Sequence, residues 1–108
     1  MLYEFRIYKC VPGKLQLLLA RFENVTLHLW RQHGIRPVGF WTTVIGSSNQ
    51  QLMYLLRWET LAEREKKWAL FQNDPKWIAA RQESEREGAF VLSVANSILK
   101  PTSFSPER

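Results

Sequence analysis

A chain of 108 residues is the length of one compact domain, and 45% hydrophobic content with five tryptophans excludes a disordered segment. The formal charge of +5 invites a nucleic-acid or anionic-membrane partner. The longest basic run is only Lys66-Lys67, however, and the acids between Glu59 and Glu87 alternate with bases, the pattern of a solvated helix face.

Tyr3, Phe5 and Ile7 alternate with Glu4, Arg6 and Tyr8, the period-two signature of a strand with two different faces. Val11-Pro12-Gly13 turns the chain. From Lys14 to about His33, Leu15, Leu18, Leu19, Phe22, Val25 and Leu29 fall on one stripe of an amphipathic helix, which Gly34 stops. Two strands follow, Arg36 to Ile45 and Gln50 to Trp58, joined by a turn at Gly46-Ser47-Ser48-Asn49. Val38, Phe40, Trp41, Val44 and Ile45, then Leu52 through Leu56, put apolar groups on both pleat faces, so both faces need cover. Thr60 with Glu63 reads as a capping box opening a helix that runs through Trp68 to about Phe71. Asp74-Pro75 restarts it as an N-cap followed by proline, and Gly88 closes it. A last strand spans Ala89 to Leu99.

The order strand, helix, strand, strand, helix, strand gives the fold class: α+β, ferredoxin-like βαββαβ, with a four-stranded antiparallel sheet and two helices on one face. Residues 1–100 form the single domain, and 101–108, with two prolines, an irregular tail. Helices can cover only one face of the sheet, and the strands are apolar on both. The economical cover for the second face is the same face of another copy, so the expected partner is the chain itself, in a two-fold homodimer.

These pieces together resemble the NIPSNAP family, a branch of the dimeric α/β barrel superfamily, over nearly the whole chain. The likeness is carried by Tyr3-Glu4-Phe5-Arg6-Ile7-Tyr8 with Pro12-Gly13-Lys14, then His33-Gly34 leading to Val38-Gly39-Phe40-Trp41-Thr42-Thr43 and Gly46. Further on it is carried by Asn49-Gln50, Trp58, Leu61-Ala62-Glu63-Arg64-Glu65, Asp74-Pro75-Lys76-Trp77, Leu99-Lys100-Pro101-Thr102 and Phe104-Ser105-Pro106. The resemblance implies two sheets closing into a barrel across a dimer, with the helices outside. It implies no one reaction: relatives in the superfamily include cofactor-independent monooxygenases, haem-degrading enzymes and small stress-response proteins, many of which hold a ligand between sheet and helices. Eukaryotic family members are linked to mitochondria and have longer N-termini. Here the strand pattern begins almost at Met1, so a bacterial, cytoplasmic setting is expected.

Candidate site residues follow from the same pattern. Counting 100° per residue from Phe22 places His33 near the middle of the apolar stripe, where its imidazole faces the sheet as a general base or haem ligand; the structural alternative is that it caps the helix C-terminus. Trp41, Tyr54 and Trp58 on adjacent strands wall an expected pocket for a flat apolar molecule, or else are core. Thr26 offers that pocket a hydroxyl, or back-bonds to its own helix. Glu4, Arg6 and Tyr8 share one face; with Tyr3, Phe5 and Ile7 assigned to the helices, they are expected as a polar network at the dimer face. His28 points to solvent.

Other chemistries lack their residues. The lone Cys10 permits no intrachain disulfide or thiolate cluster, no His/Glu pair has metal-ligand spacing, and no cofactor is expected. The glycines are isolated, so no phosphate loop forms, and no serine sits in a nucleophile elbow. RNA-recognition domains share the element order, but Gln50 to Arg57 lacks their basic-Gly-aromatic signature, so no nucleic-acid partner is expected. No apolar run approaches the ~20 residues of a membrane helix, so no membrane partner is expected either. The expected function is binding of an apolar small molecule between the first helix and the sheet, with an oxygenase-like reaction as one form of it. The alternative is a non-enzymatic protein-interaction or stress-response module, docking through its sheet or through the Pro101 to Arg108 tail that motivates the reading.

Overall fold

A computed structural model describes residues 1–107. The elements are β1 (Leu2–Cys10), α1 (Leu15–Arg21), α2 (Leu27–His33), β2 (Arg36–Thr42), β3 (Gln51–Trp58), α3 (Leu61–Gln72), α4 (Pro75–Ser84) and β4 (Val91–Leu99). The strands pair in the order β2-β3-β1-β4, all antiparallel, which is the expected ferredoxin-like α+β sheet.

Each helix begins and ends where local chemistry dictates. α1 and α2 form one rod joined by a π turn at Phe22–Thr26, in which the Leu27 N–H reaches back to the Phe22 carbonyl. The wide turn brings Phe22, Thr26 and Trp30 into line at four-residue intervals, and all three are buried. Val25, placed on the stripe by a regular period, is therefore only half-buried. Gly34, at φ +74, closes the rod with the two Schellman bonds, its own N–H to Arg31 and that of Ile35 to Trp30. Thr60 caps α3 by accepting from the Glu63 N–H at 3.1 Å, while the returning Glu63 carboxylate accepts from Glu59 N rather than from Thr60. Asp74 caps α4 by accepting from Lys76 N at 2.9 Å.

The ends of three elements differ from the sequence expectation. β2 stops at Thr42, because Val44 and Ile45 have no partner strand and stand 95% and 94% exposed in the loop that follows. β4 starts at Val91, opposite Cys10. α4 ends at Ser84, and Gly88, at φ +123, closes the short turn after it.

Directly opposed residues of antiparallel strands share a face, so the register assigns both faces of the sheet. Glu4, Arg6 and Tyr8 oppose Leu56, Tyr54 and Leu52, and these three are core beneath the helices. Tyr3, Phe5 and Ile7 lie on the bare face with Met53, Leu55, Arg57 and Trp41. The expected assignment of the first strand is thus inverted. Alternation tells which residues travel together, not which set the helices cover, and Arg64 of α3 supplies the charge that lets Glu4 go inside. The principal extents of 45 × 36 × 19 Å are those of two layers, the helices and the sheet; on the second sheet face Tyr3 is buried, while Phe5, Ile7, Met53 and Leu55 are half-buried and Trp41 is exposed.

Candidate functional site

The inward residues of β1 form a continuous polar chain in the core. The fully buried Glu4 carboxylate accepts from Arg64 Nε and Nη2 at 2.8 and 3.0 Å, Arg6 Nη1 at 2.9 Å, Asn96 Nδ2 at 2.9 Å and Trp58 Nε1 at 3.1 Å. Burial opposes its charge, but the bonds from Arg64, Asn96 and Arg6 prevail and hold its pKa at about 2. Arg6 continues the chain by donating to the Tyr8 hydroxyl at 3.4 Å, and its guanidinium carbon lies 4.7 Å from the centre of the Trp68 ring. Tyr54, opposed to Arg6, donates to the same Tyr8 hydroxyl at 2.8 Å. Burial drives the Tyr54 pKa well above the ordinary tyrosine value, so it stays a neutral donor.

The space between the first helical rod and the sheet is occupied by side chains. Phe22, Trp30, Phe40 and Tyr54 meet ring to ring with centroids 5.4–6.3 Å apart, and Leu18 seals the layer. Tyr54 and Trp58 lie in this layer as core, Trp58 spending its indole N–H on Glu4. Thr26 is buried, its hydroxyl 3.4 Å from the Arg21 carbonyl within the π turn. Trp41 is on the opposite face of the sheet from Tyr54, 52% exposed and folded over Gly39, so the three aromatic residues expected to wall one pocket do not meet. His33 reaches sideways rather than toward the sheet: its Nε2–H donates to Asp74 Oδ2 at 2.7 Å, tying the end of α2 to the start of α4. That bond, with the Lys76 N–H, holds the Asp74 carboxyl below the usual aspartate range. The π turn again explains the difference, since one extra residue before α2 shifts everything after it around the axis.

An open cleft lies on the other side of Tyr8, where α4 overhangs β1 and β4. It encloses about 360 Å³ between Arg6, Tyr8, Arg21, Trp77, Glu85 and Val94. It continues outward over Trp77 and Arg81 into a shallower hollow of about 540 Å³ bounded by Ile78 and Gln82. Arg21 is nearly fully buried here, its guanidinium set against the rings of Trp77 and Phe90 at 5.3 and 4.9 Å and paired with Glu85 at 2.9 Å. Arg81 shares the same Glu85 carboxylate at 3.2 Å. The Nε atoms of Arg6 and Arg21 are buried without a partner. Sequence reasoning passed over Arg21, Trp77 and Arg81; the one available signal was an arginine on an otherwise apolar helix stripe. Among the described residues, no three His, Cys, Asp or Glu side chains converge as metal ligands, and no helix is long and apolar enough to cross a membrane.

Comparison with known proteins adds a family and a fold. The sequence profile described as NIPSNAP matches residues 3–106. A NIPSNAP-like domain protein from Burkholderia xenovorans is 28% identical, with 97% of this chain covering 88% of that one at a TM-score of 0.84. A NIPSNAP family protein from Agrobacterium tumefaciens is 26% identical, with 99% and 98% covered and a TM-score of 0.87. An antibiotic biosynthesis monooxygenase, only 9% identical, superposes with a TM-score of 0.61 over 94% and 99% of the two chains, a likeness of fold alone. No curated protein matches the chain.

Proposed function

The chain belongs to the NIPSNAP family, and from that premise we propose that it works as a homodimer joined through the bare sheet faces, each protomer holding a flat, largely apolar small molecule in the cleft beneath α4. The observation that carries the ligand site is the cleft itself, whose volume falls in the range of small-molecule pockets and whose wall combines Trp77 and Val94 with Tyr8. The expected site under the first helix is replaced by this one because four aromatic rings already fill that space. The dimer rests on the bare face, where Phe5, Ile7, Met53 and Leu55 are half-buried and Trp41 is more exposed.

Native mass spectrometry and thermal shift with haem, a quinol and a polyketide-like aromatic test the ligand reading. One molecule bound per chain, lost in Trp77→Ala, supports it; no bound species and no shift with any of them overturns it. A second reading, a protein-interaction module, is favoured by Val44, Ile45 and Phe104, the last 84% exposed. Identical partners captured with and without residues 101–108 would remove the tail from that reading.

A further inference from the structure

The hydrogen bonds around Tyr8 have a direction. Arg6 can only donate, and it donates to the Tyr8 oxygen. Tyr54 is fully buried, and its hydroxyl meets Tyr8 and the Arg6 guanidinium; Arg6 cannot accept, so the Tyr54 proton is satisfied only if it points at the Tyr8 oxygen. Tyr8 therefore accepts twice within the protein, and its own proton is left for the cleft that the ring lines. A phenol so placed needs an acceptor in the ligand.

The charges around the cleft select the kind of acceptor. Three arginines line it, Arg6, Arg21 and Arg81, against the single carboxylate of Glu85. Glu85 is already divided between Arg21 and Arg81. Glu4 balances Arg6 from beneath, but its oxygens are crowded with five donor contacts and leave the Arg6 Nε unmet. A neutral apolar molecule would leave these donors and this field without an answer, whereas an anionic oxygen answers both.

Resting on the cleft as the ligand site, we propose that the occupant is an organic acid: a flat apolar body against Trp77 and Val94, carrying a carboxylate or sulfonate that accepts from Tyr8 and is held in the field of Arg6, Arg21 and Arg81. Burial of the Arg6 guanidinium against Trp68 and of the Arg21 guanidinium against Trp77 and Phe90 keeps their part of that field in a medium less polar than water, where it acts on a ligand more strongly than surface arginines do.

The test uses two fluorescent probes with one aromatic body, 8-anilinonaphthalene-1-sulfonate and the neutral N-phenyl-1-naphthylamine, titrated into the full chain. The acid is expected to bind one per chain and more tightly than the neutral probe. Tyr8→Phe should weaken the acid about tenfold, the loss of one bond to a charged group, and leave the neutral probe unchanged. Arg81→Gln, an exposed position that leaves the fold intact, should weaken the acid by about threefold to tenfold and spare the neutral probe. Equal affinity for the two probes, or an acid affinity untouched by both variants, would overturn the acid preference while leaving the cleft as a ligand site. Failure of both probes to bind would overturn the cleft reading, and the acid preference with it.

Discussion

Replacing Glu4 by Gln tests the polar core most sharply. The carboxylate takes two donors at Oε1, from Trp58 and Arg64 Nε, and three at Oε2, from Arg6, Arg64 Nη2 and Asn96. An amide of the same shape must place its NH2 at one oxygen or the other, so at least two buried donors meet a donor. The guanidiniums of Arg6 and Arg64 also lose their shared counter-charge. Breaking a buried pair by neutralising one member costs about 3–5 kcal/mol, a large part of the ~5–15 kcal/mol that holds a domain folded. Urea unfolding of both proteins at pH 7 and one fixed concentration measures the difference. A loss under about 1 kcal/mol would refute the claim that Glu4 is the hub of the network.

The same carboxylate sets an acid limit. Its folded pKa of about 2 lies below the ordinary 4.5, so the stability it contributes is present above pH 4.5 and is lost as pH falls toward 2. The full shift corresponds to about 3 kcal/mol, and E4Q should lack that part of the acid dependence. A parallel loss in both proteins between those pH values would assign acid unfolding to other groups.

Leu55→Glu places a charge on the bare face of each copy and should raise the dimer dissociation constant by about 100-fold or more; sedimentation of the unmodified chain as a monomer at micromolar concentration would remove the dimer altogether. Gly34→Ala should cost about 1–2 kcal/mol through its left-handed backbone rather than through crowding, because the added Cβ meets only the flexible end of Lys67 at 3.1 Å. Asp74→Ala should lower the melting temperature more than His33→Ala, since Asp74 both caps α4 and holds His33; equal losses would mean the cap contributes nothing.

The parts of the fold written in local chemistry could be read directly. Thr60 and Asp74 cap helices, and Gly34 ends one, because a side-chain oxygen or a left-handed glycine acts on its immediate neighbours. Glu4, Arg6 and Tyr8 were legible as one set for the same reason, strand alternation. Their side of the sheet was not, because it depends on Arg64 and Asn96, which are 60 and 92 residues distant in sequence. The expected places of His33 and Val25 are upset by a single π turn, which has no simple residue signature yet rotates all that follows. The cleft was hidden for a further reason: Arg21, Trp77 and Arg81 come from two helices, and nothing within either helix announces the other.

The five tryptophans allow the location of the ligand site to be tested in one spectrum. Trp77 lines the cleft, Trp41 stands on the bare sheet face, and Trp30 and Trp58 are sealed in the core. In a nitrogen–proton NMR titration with 8-anilinonaphthalene-1-sulfonate, the indole signal of Trp77 should move while those of Trp41 and Trp58 stay in place. Movement of Trp41 with Trp77 unchanged would put the ligand on the other side of the sheet and contradict the account.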